Sequence, residues 1–447
     1  MSRPLAEPAI TDAPGAVPVL GHLVSLIRNP LGFLRTLSHS TEEIVRIRIG
    51  PWKGYVVCDP DVTYHMLLDD STFDKGGPIF KNMREVLGNG VAVCPHSDHR
   101  RQRRMLQPVF GKSNHARFAS VIGTEIDTVI SHWQNGLPVD IMSDMRDVSA
   151  RSVVRLMISG LSDDAIVQAV KDVEVSMGGM FWRILLPPPF DILPIPGNIR
   201  YKNASSRLRQ LFRRTVGEYR MNGGEDDLVS YLIRASDEED GTTLSDEEIS
   251  AQIFTVFAAG ADTTGHTLGW AFHLLSQHPA VLKRVQAELD AVLGDRLPTV
   301  EDLQELTYTT QVVTEVMRLY PTAWFLTRTV MQDSSLGQHF FPAGTDIVFS
   351  PYLLHHRPDS HEDPETFNPD RWESDPQGQR HRISMIPFGA GPRKCLGEGL
   401  GRVQSVLSLA TILSKWELKS ESDDIKSGLR LPLTPLGLSM RAFKRRS

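Results

Sequence analysis

The chain has 447 residues, 40% of them hydrophobic and 23% charged, with a net charge of −6. That balance belongs to a globular protein, excludes bulk disorder and argues against general nucleic-acid binding, which needs a basic face. Three cysteines, Cys58, Cys94 and Cys395, are too few for a disulfide framework, so a reducing, cytoplasmic setting is expected.

Residues to about Thr11 read as a flexible tail, and 12–447 as a single large domain, because no Gly/Ser linker divides them. Met1 to Val19 has no basic stretch followed by an apolar core. The apolar run Val17 to Ile27 is broken by His22 and falls far short of the roughly 20 residues of a membrane span. No transmembrane anchor is expected. Val45, Ile47 and Ile49 alternate with Arg46 and Arg48, and Tyr55 to Cys58 returns after a Gly/Pro turn, which predicts a hairpin. His96 to Arg104 is the most basic run, read alone as a solvated helix face or an anion site. Leu185 to Asn198 holds five prolines and predicts an apolar surface loop.

Ser245 and Glu248 form a capping box that opens an apolar helix from Ile249 to Leu275, about 45 Å long at 1.5 Å per residue. Thr299 and Asp302 suggest a second cap, for a helix ending at Tyr320-Pro321. Within it, Glu315 and Arg318 share a face. A β patch is expected over Phe340 to Phe349, with Pro342-Ala343-Gly344 as its turn, and His355 to Arg382 reads as a long polar loop. The fold class is therefore mainly α with small β-sheets.

Gly and Pro keep Phe388 to Lys394 out of a helix, after which Leu400, Val403, Val406, Leu407 and Leu413 take helical spacing. Cys395 thus sits at a loop-to-helix junction, where a thiolate gains from the positive helix end. A buried, inert thiol is the alternative, and it is the reading for Cys58 and Cys94. Zinc is disfavoured, because no second Cys or His stands at ligand spacing from Cys395.

The segment Phe388, Gly391, Arg393, Cys395 and Gly397 resembles the haem signature F-x-x-G-x-R-x-C-x-G of the cytochromes P-450, and three further motifs follow the family's order. The likeness spans roughly Pro14 to Leu438. It implies the single large cytochrome P-450 fold, with haem b (iron protoporphyrin IX) between the long distal helix and the proximal Cys loop, and Cys395 as the axial iron ligand.

The second motif is Ala259-Gly260-Ala261-Asp262-Thr263-Thr264, a run of poor helix formers in the middle of the apolar helix. A threonine bonded back to the i−4 carbonyl is one explanation. The resemblance implies another, in which Ala259 and Gly260 make room for O2, Thr263 holds it and Asp262 feeds protons through water. The third motif, E-x-x-R, is Glu315 and Arg318, completed by Arg371 in Phe367-Asn368-Pro369-Asp370-Arg371-Trp372, with a folding role. The fourth makes His99 and Arg103 the haem-propionate grip, His99 standing where Trp is commoner, with Arg328 and Arg393 at the other propionate positions. The basic surplus at Arg100, Arg101 and Arg104 is expected to meet an acidic electron carrier.

Candidates for the substrate pocket are Ile79, Phe80, Phe181, Phe254, Phe257, Ala323, Trp324 and Phe325, none of which offers a charge. Met180, Trp182 and Leu433 to Leu436 lie in matching regions. The resemblance implies a monooxygenase acting on a hydrophobic small molecule, nearest to bacterial sesquiterpene oxygenases of secondary metabolism. Macrolide or polyketide, steroid and fatty-acid hydroxylation are the alternatives, followed by a peroxide-driven, non-oxygenating or sensory haem-thiolate protein. The chain has no room for a fused flavin domain. Electrons are therefore expected from NAD(P)H through a ferredoxin and its reductase or a flavodoxin, to a monomer.

Overall fold

The computed structural model describes residues 9–185, 193–224, 226–239, 241–375, 381–422, 425–428 and 432–445. The alternation of Val45 to Ile49 gives strand β1 (Ile44–Ile49), which pairs antiparallel with β2 (Trp52–Val57). The turn is tighter than the sequence suggested, and Gly50 at its corner takes φ +57. β2 continues into a five-stranded sheet with β3 (Phe73–Asp74), β4 (Leu326–Val330) and β5 (Asp346–Phe349), in the order β1-β2-β5-β4-β3. The Thr11 carbonyl accepts from the Arg46 N–H, so the chain is tied to β1 from that residue onward.

The β patch at 340–349 departs from expectation. Its two halves do not pair across Pro342-Ala343-Gly344. Phe341 pairs with Ser334 in a separate ribbon, whereas β5 lies parallel to β2 and antiparallel to β4. The Gly344 N–H bonds to Val330 at φ +87, which turns the chain into the larger sheet.

The chain divides into two compact units, 1–81 with 318–366 and 378–395, and 82–317 with 367–377 and 396–447. The sheet belongs to the first. The second is helical and includes α1 (His96–Leu106), α2 (Ile141–Met157), α3 (Asp163–Leu185), α4 (Pro196–Asn222) and α5 (Asp246–Gln277). Residues 186–192 of the proline loop lie outside the described residues, and α4 already begins at Pro196. The helix α6 (Thr307–Leu319) ends where Tyr320-Pro321 was expected to stop it, and α7 (Glu398–Lys415) follows the Cys loop.

The capping box forms as read: Ser245 accepts from the Glu248 N–H, and the Glu248 carboxylate accepts from the Ser245 N–H. α5 then runs 32 residues before His278. The cap expected at Thr299 works the other way round. The Asp302 carboxylate accepts from the Thr299 N–H and hydroxyl and from Arg296, and Glu288 caps α6 through the N–H groups of Tyr308 and Thr309. Among the described residues, no helix is long and apolar enough to cross a membrane.

α2 crosses α5 at close range because α5 carries glycine there. A Cβ at Gly265 would lie 2.8 Å from both the Arg146 Cα and the Met145 carbonyl oxygen. At Gly260 it would lie 2.8 Å from Val153, and at Gly269 2.1 Å from the Met142 sulfur. Backbone cannot step aside as a flexible side chain can. Gly265→Ala is therefore expected to cost about 1–3 kcal/mol by overpacking. Gly123→Ala, in the helix His115–Ile130 with nothing within 4 Å of its Cβ position, should stabilise by about 0.5–1 kcal/mol. Urea unfolding of the two variants checks the contrast.

Candidate active site

Most of α5 is buried, Phe254 and Phe257 included, but one stripe stays uncovered. Val256, Ala259, Gly260 and Thr263, at positions i, i+3, i+4 and i+7, keep accessible surface in the middle of an apolar helix. The stripe is apolar except for the Thr263 hydroxyl, which donates back to the Ala259 carbonyl at 3.0 Å. Ser149 on α2 donates to the Gly260 carbonyl at 2.8 Å, and Val153 occupies the space beside Gly260, so its missing side chain also has a packing reason.

Asp262 lies about 100° around the helix from Thr263, off the stripe. Its partner is His266, one turn on. The His266 Nδ1 lies 3.3 Å from an Asp262 carboxylate oxygen and 2.6 Å from the Asp262 backbone carbonyl. The i,i+4 spacing of Asp262 and His266 is the sequence signal for this pair.

The Cys loop is built by two left-handed glycines, Gly389 at φ +72 and Gly391 at φ +68. A side chain at Gly391 would lie 1.9 Å from the Leu67 carbonyl oxygen. The Cys395 N–H closes the loop onto the Phe388 carbonyl at 2.8 Å. Gly397 stands at the N-terminus of α7 and makes no side-chain cap, which places the thiol two residues before the positive end of that helix. Cys395 is exposed, whereas Cys58 and Cys94 are buried. Burial pushes the Cys58 thiol up to about 12. Only Cys395 is both accessible and placed at a helix start.

Two arginines of the first unit were expected to meet haem propionates, and they differ. Arg393 is buried and pairs with Asp70 at 3.1 Å and with Asp74. Those aspartates lie far from Arg393 in the chain and match its charge. Arg328 is equally buried, on β4, yet no described carboxylate lies within ion-pair distance of it. It donates to the Thr327 carbonyl at 3.0 Å and lies 5.1 Å from the Phe349 ring. Burial, with Arg393 nearby, pulls its pKa down to about 10. Asp70 and Asp74 act on it only from a distance while they pair directly with Arg393, and a buried guanidinium without a direct ion pair fits an anionic group such as a propionate. An exposed soft sulfur and a buried cation outside any direct ion pair are together the donor set that haem requires, so the residues fit that group.

On α1, His99 is buried and Arg103 partly so. The helix is locked to α5 by Gln102, which accepts from the Gln252 amide at 2.9 Å, while Gln252 accepts from the Val91 N–H. Each arginine of the basic surplus has an acidic partner in the chain. Arg101 pairs with Glu248 at 2.7 Å, Arg104 with Asp237 at 2.8 Å and Arg100 with Glu239 at 3.0 Å, so acids of the same chain neutralise all three.

Glu315 and Arg318 are both 0% exposed. Glu315 accepts from Arg371 at 3.1 Å, the Trp372 indole at 2.8 Å and the Asn368 N–H at 3.0 Å. Arg318 donates to the carbonyls of His355, Pro364 and Thr366. The supposed polar loop after His355 is thus partly a set of backbone acceptors for one arginine.

The substrate candidates divide by burial. Phe254 and Phe257 pack on Phe212 of α4 at ring distances of 5.6 and 6.0 Å and have 2% and 0% exposure. Both are therefore packed against α4 in this structure. Ile79, Phe80 and Trp324 are also buried, whereas Ala323 and Phe325 keep accessible surface. The side chain of Phe181 lies outside the described residues. Met180 is buried, and Leu433 is buried beneath Trp270, whose indole donates to its carbonyl.

Removing the Glu315 carboxylate strands Arg371, an indole N–H and a backbone N–H. Glu315→Ala is therefore expected to cost about 3–5 kcal/mol and to yield little haem-loaded protein, read by chemical unfolding and by haem absorbance per protein.

Comparison with known proteins places these features in a family. The cytochrome P450 family model matches residues 12–441. Pentalenene oxygenase of Streptomyces avermitilis is 39% identical over 92% of this chain and 92% of its own length. Cyclooctat-9-en-7-ol 5-monooxygenase of Streptomyces melanosporofaciens is 40% identical over 94% and 92%. The crystal structure of the cytochrome P450DA heme domain superposes with a TM-score of 0.89 at 24% identity, covering 98% of both chains, and shows the same fold. With its cysteine loop, its E-x-x-R helix and a family match over nearly its whole length, this chain belongs to the cytochrome P450 family and is a cytochrome P450 monooxygenase.

Proposed function

We propose that the enzyme hydroxylates or otherwise oxygenates a terpenoid hydrocarbon or a lightly oxidised terpenoid, in secondary metabolism. The observation that carries this reading is the uncovered stripe on α5. Val256 and Ala259 offer only apolar surface, Thr263 offers one hydroxyl, and no stripe residue bears a charge that would anchor an acidic or basic substrate. The oxygenases of cyclic terpenes among its relatives support the same class. Macrolide, steroid and fatty-acid substrates remain the alternatives within the family. A peroxide-driven enzyme has little use for the Asp262-Thr263 pair.

In this reading Cys395 holds the haem iron, and Arg328, His99 and Arg103 meet the propionates, while Arg393 fixes the Cys loop through Asp70 and Asp74. Bound haem supplies the reductive activation of O2. The chain's own residues exclude bulk water with the apolar stripe and manage protons. Thr263 releases its bond to Ala259 by turning about χ1 and then presents its hydroxyl proton outward from the stripe. Asp262 resupplies that hydroxyl through water. Electrons come from NAD(P)H through separate redox proteins to a cytoplasmic, monomeric enzyme.

The carbon monoxide difference spectrum of the reduced protein tests the ligand. The strongly red-shifted Soret band of cysteinate ligation is expected, and its loss in Cys395→Ala. An ordinary histidine-type band in the parent would overturn the reading. Titration with pentalenene and with a cyclic diterpene alcohol should shift the resting Soret band to shorter wavelength, whereas long-chain carboxylates should leave it in place. Thr263→Ala should keep the haem while peroxide rises at the expense of product, by about 10-fold or more.

A further inference from the structure

Asp262 faces away from the stripe, and what it faces is a crevice between α2, α3 and α5. Apolar walls come from Ala150, Val173 and Met177, and polar groups from Arg146, Asp147 and Glu174. Arg146 and Glu174 form an ion pair of 2.7 Å across it, and the Glu174 side chain is 60% exposed, so this pair marks the solvent end. Asp147 is half-buried and makes no hydrogen bond or ion pair with any described residue. An unpartnered carboxylate in a part-buried position costs stability and asks for a purpose.

We infer that this crevice is the proton entry of the enzyme, with Asp147 as the relay that takes protons from solvent at the Arg146–Glu174 end and passes them to Asp262. The inference rests on the proposed role of Asp262 as the proton donor behind Thr263. The step is a proton transfer alone. A hydronium or buffer acid protonates an Asp147 oxygen, that proton moves over crevice water to an Asp262 oxygen, and Asp147 is left anionic for the next. Asp262 is the hinge between two faces of α5. In the resting arrangement His266 holds its carboxylate on the crevice side, and rotation brings it round to the Thr263 hydroxyl.

The charges around Asp147 suit a relay. Burial is the largest influence and raises its pKa. Glu174 of α3 and Asp140 raise it further, while Arg146 and Arg151 oppose them. Asp262 and His266 face the crevice region from α5. A carboxyl moved up in this way holds a proton nearer to neutral pH than a solvated aspartate and releases it more readily to a neighbour. The sign of the linkage is also fixed. Its stabilising effect is present below the unfolded pKa and is lost as pH rises through the folded one, so Asp147→Asn should unfold no earlier than the parent at neutral pH.

The test is a single turnover of the haem-loaded enzyme. Dithionite-reduced protein is freed of excess reductant, mixed with oxygenated buffer and then with reduced ferredoxin, which supplies the second electron, in H2O and in D2O, and the return of the oxidised spectrum is followed across pH. Asp147→Asn is expected to slow the return about 10-fold, to enlarge the solvent isotope effect and to flatten the pH profile, with the carbon monoxide spectrum unchanged. Asp147→Glu should restore most of the rate. Met177→Phe, which fills the crevice without changing a charge, should slow the return in the same way, and it decides the matter if Asp147→Asn yields no haem-loaded protein. Rates and isotope effects within twofold of the parent in Asp147→Asn and Met177→Phe would overturn the crevice route. If Asp262→Asn is slow in that case, the role of Asp262 survives without it. If Asp262→Asn is also unaffected, the donor role falls as well.

Discussion

Where α2 crosses α5, two backbones come together at a distance that only glycine permits. Gly265 leaves no room for a Cβ between α5 and the main chain at Met145 and Arg146, and Gly260 and Gly269 extend the contact on either side. Much of the site follows from that contact. It fixes the rotation of α5 about its own axis, and the rotation decides which residues are uncovered. With the glycine edge turned to α2, the Val256–Thr263 stripe stays accessible and Asp262 is carried to the margin of α2 and α3. A helix of purely apolar residues would bury all faces alike. Here the glycines break that symmetry, and two chemically different faces result, one dry and nearly neutral, the other lined with carboxylates and an arginine.

The second unit spends buried charge on architecture, and the first does the same. Glu315 receives three donors at once, and Arg318 in turn donates to three carbonyls of otherwise irregular chain. Irregular backbone has no ladder of its own to satisfy its polar groups, so a fixed cation with five N–H donors substitutes for one. In the same unit as Arg318, Arg393 pairs directly with two aspartates, while Arg328 feels them only at longer range. The contrast separates a guanidinium held in ion pairs from one held by a carbonyl and a ring.

Much of this was legible in the sequence, for reasons that differ by element. The hairpin from Ile44 to Val57 and the capped helix from Ser245 onward are local patterns, and local patterns survive folding. The cysteine loop was legible because its glycines and its single sulfur leave few chemical readings. The partners of the charges were not legible. Asp70 and Asp74 stand more than 300 residues from Arg393, and nothing in the spacing joins them. The arginines of α1 looked like a basic face because their acids, Asp237, Glu239 and Glu248, lie far along the chain. The packing of Phe254 and Phe257 on Phe212 was not legible either, because apolar side chains read alike whatever they face. The pairing of β5 with β2 was hidden too, since a parallel neighbour leaves no turn to announce it.

The approach of Gly391 to the Leu67 carbonyl, reinforced by the grip of Asp70 and Asp74 on Arg393, has a consequence for recombining this protein with its relatives. The shape of the cysteine loop is stored partly in residues 67–74, on a stretch of chain that carries no part of the haem signature. A chimera that takes the signature from one parent and the 67–74 turn from another inherits a mould and a casting that were not made together. Crossover points that keep both segments from one parent preserve the thiol's setting, and those that part them do not, however well the signature itself is copied.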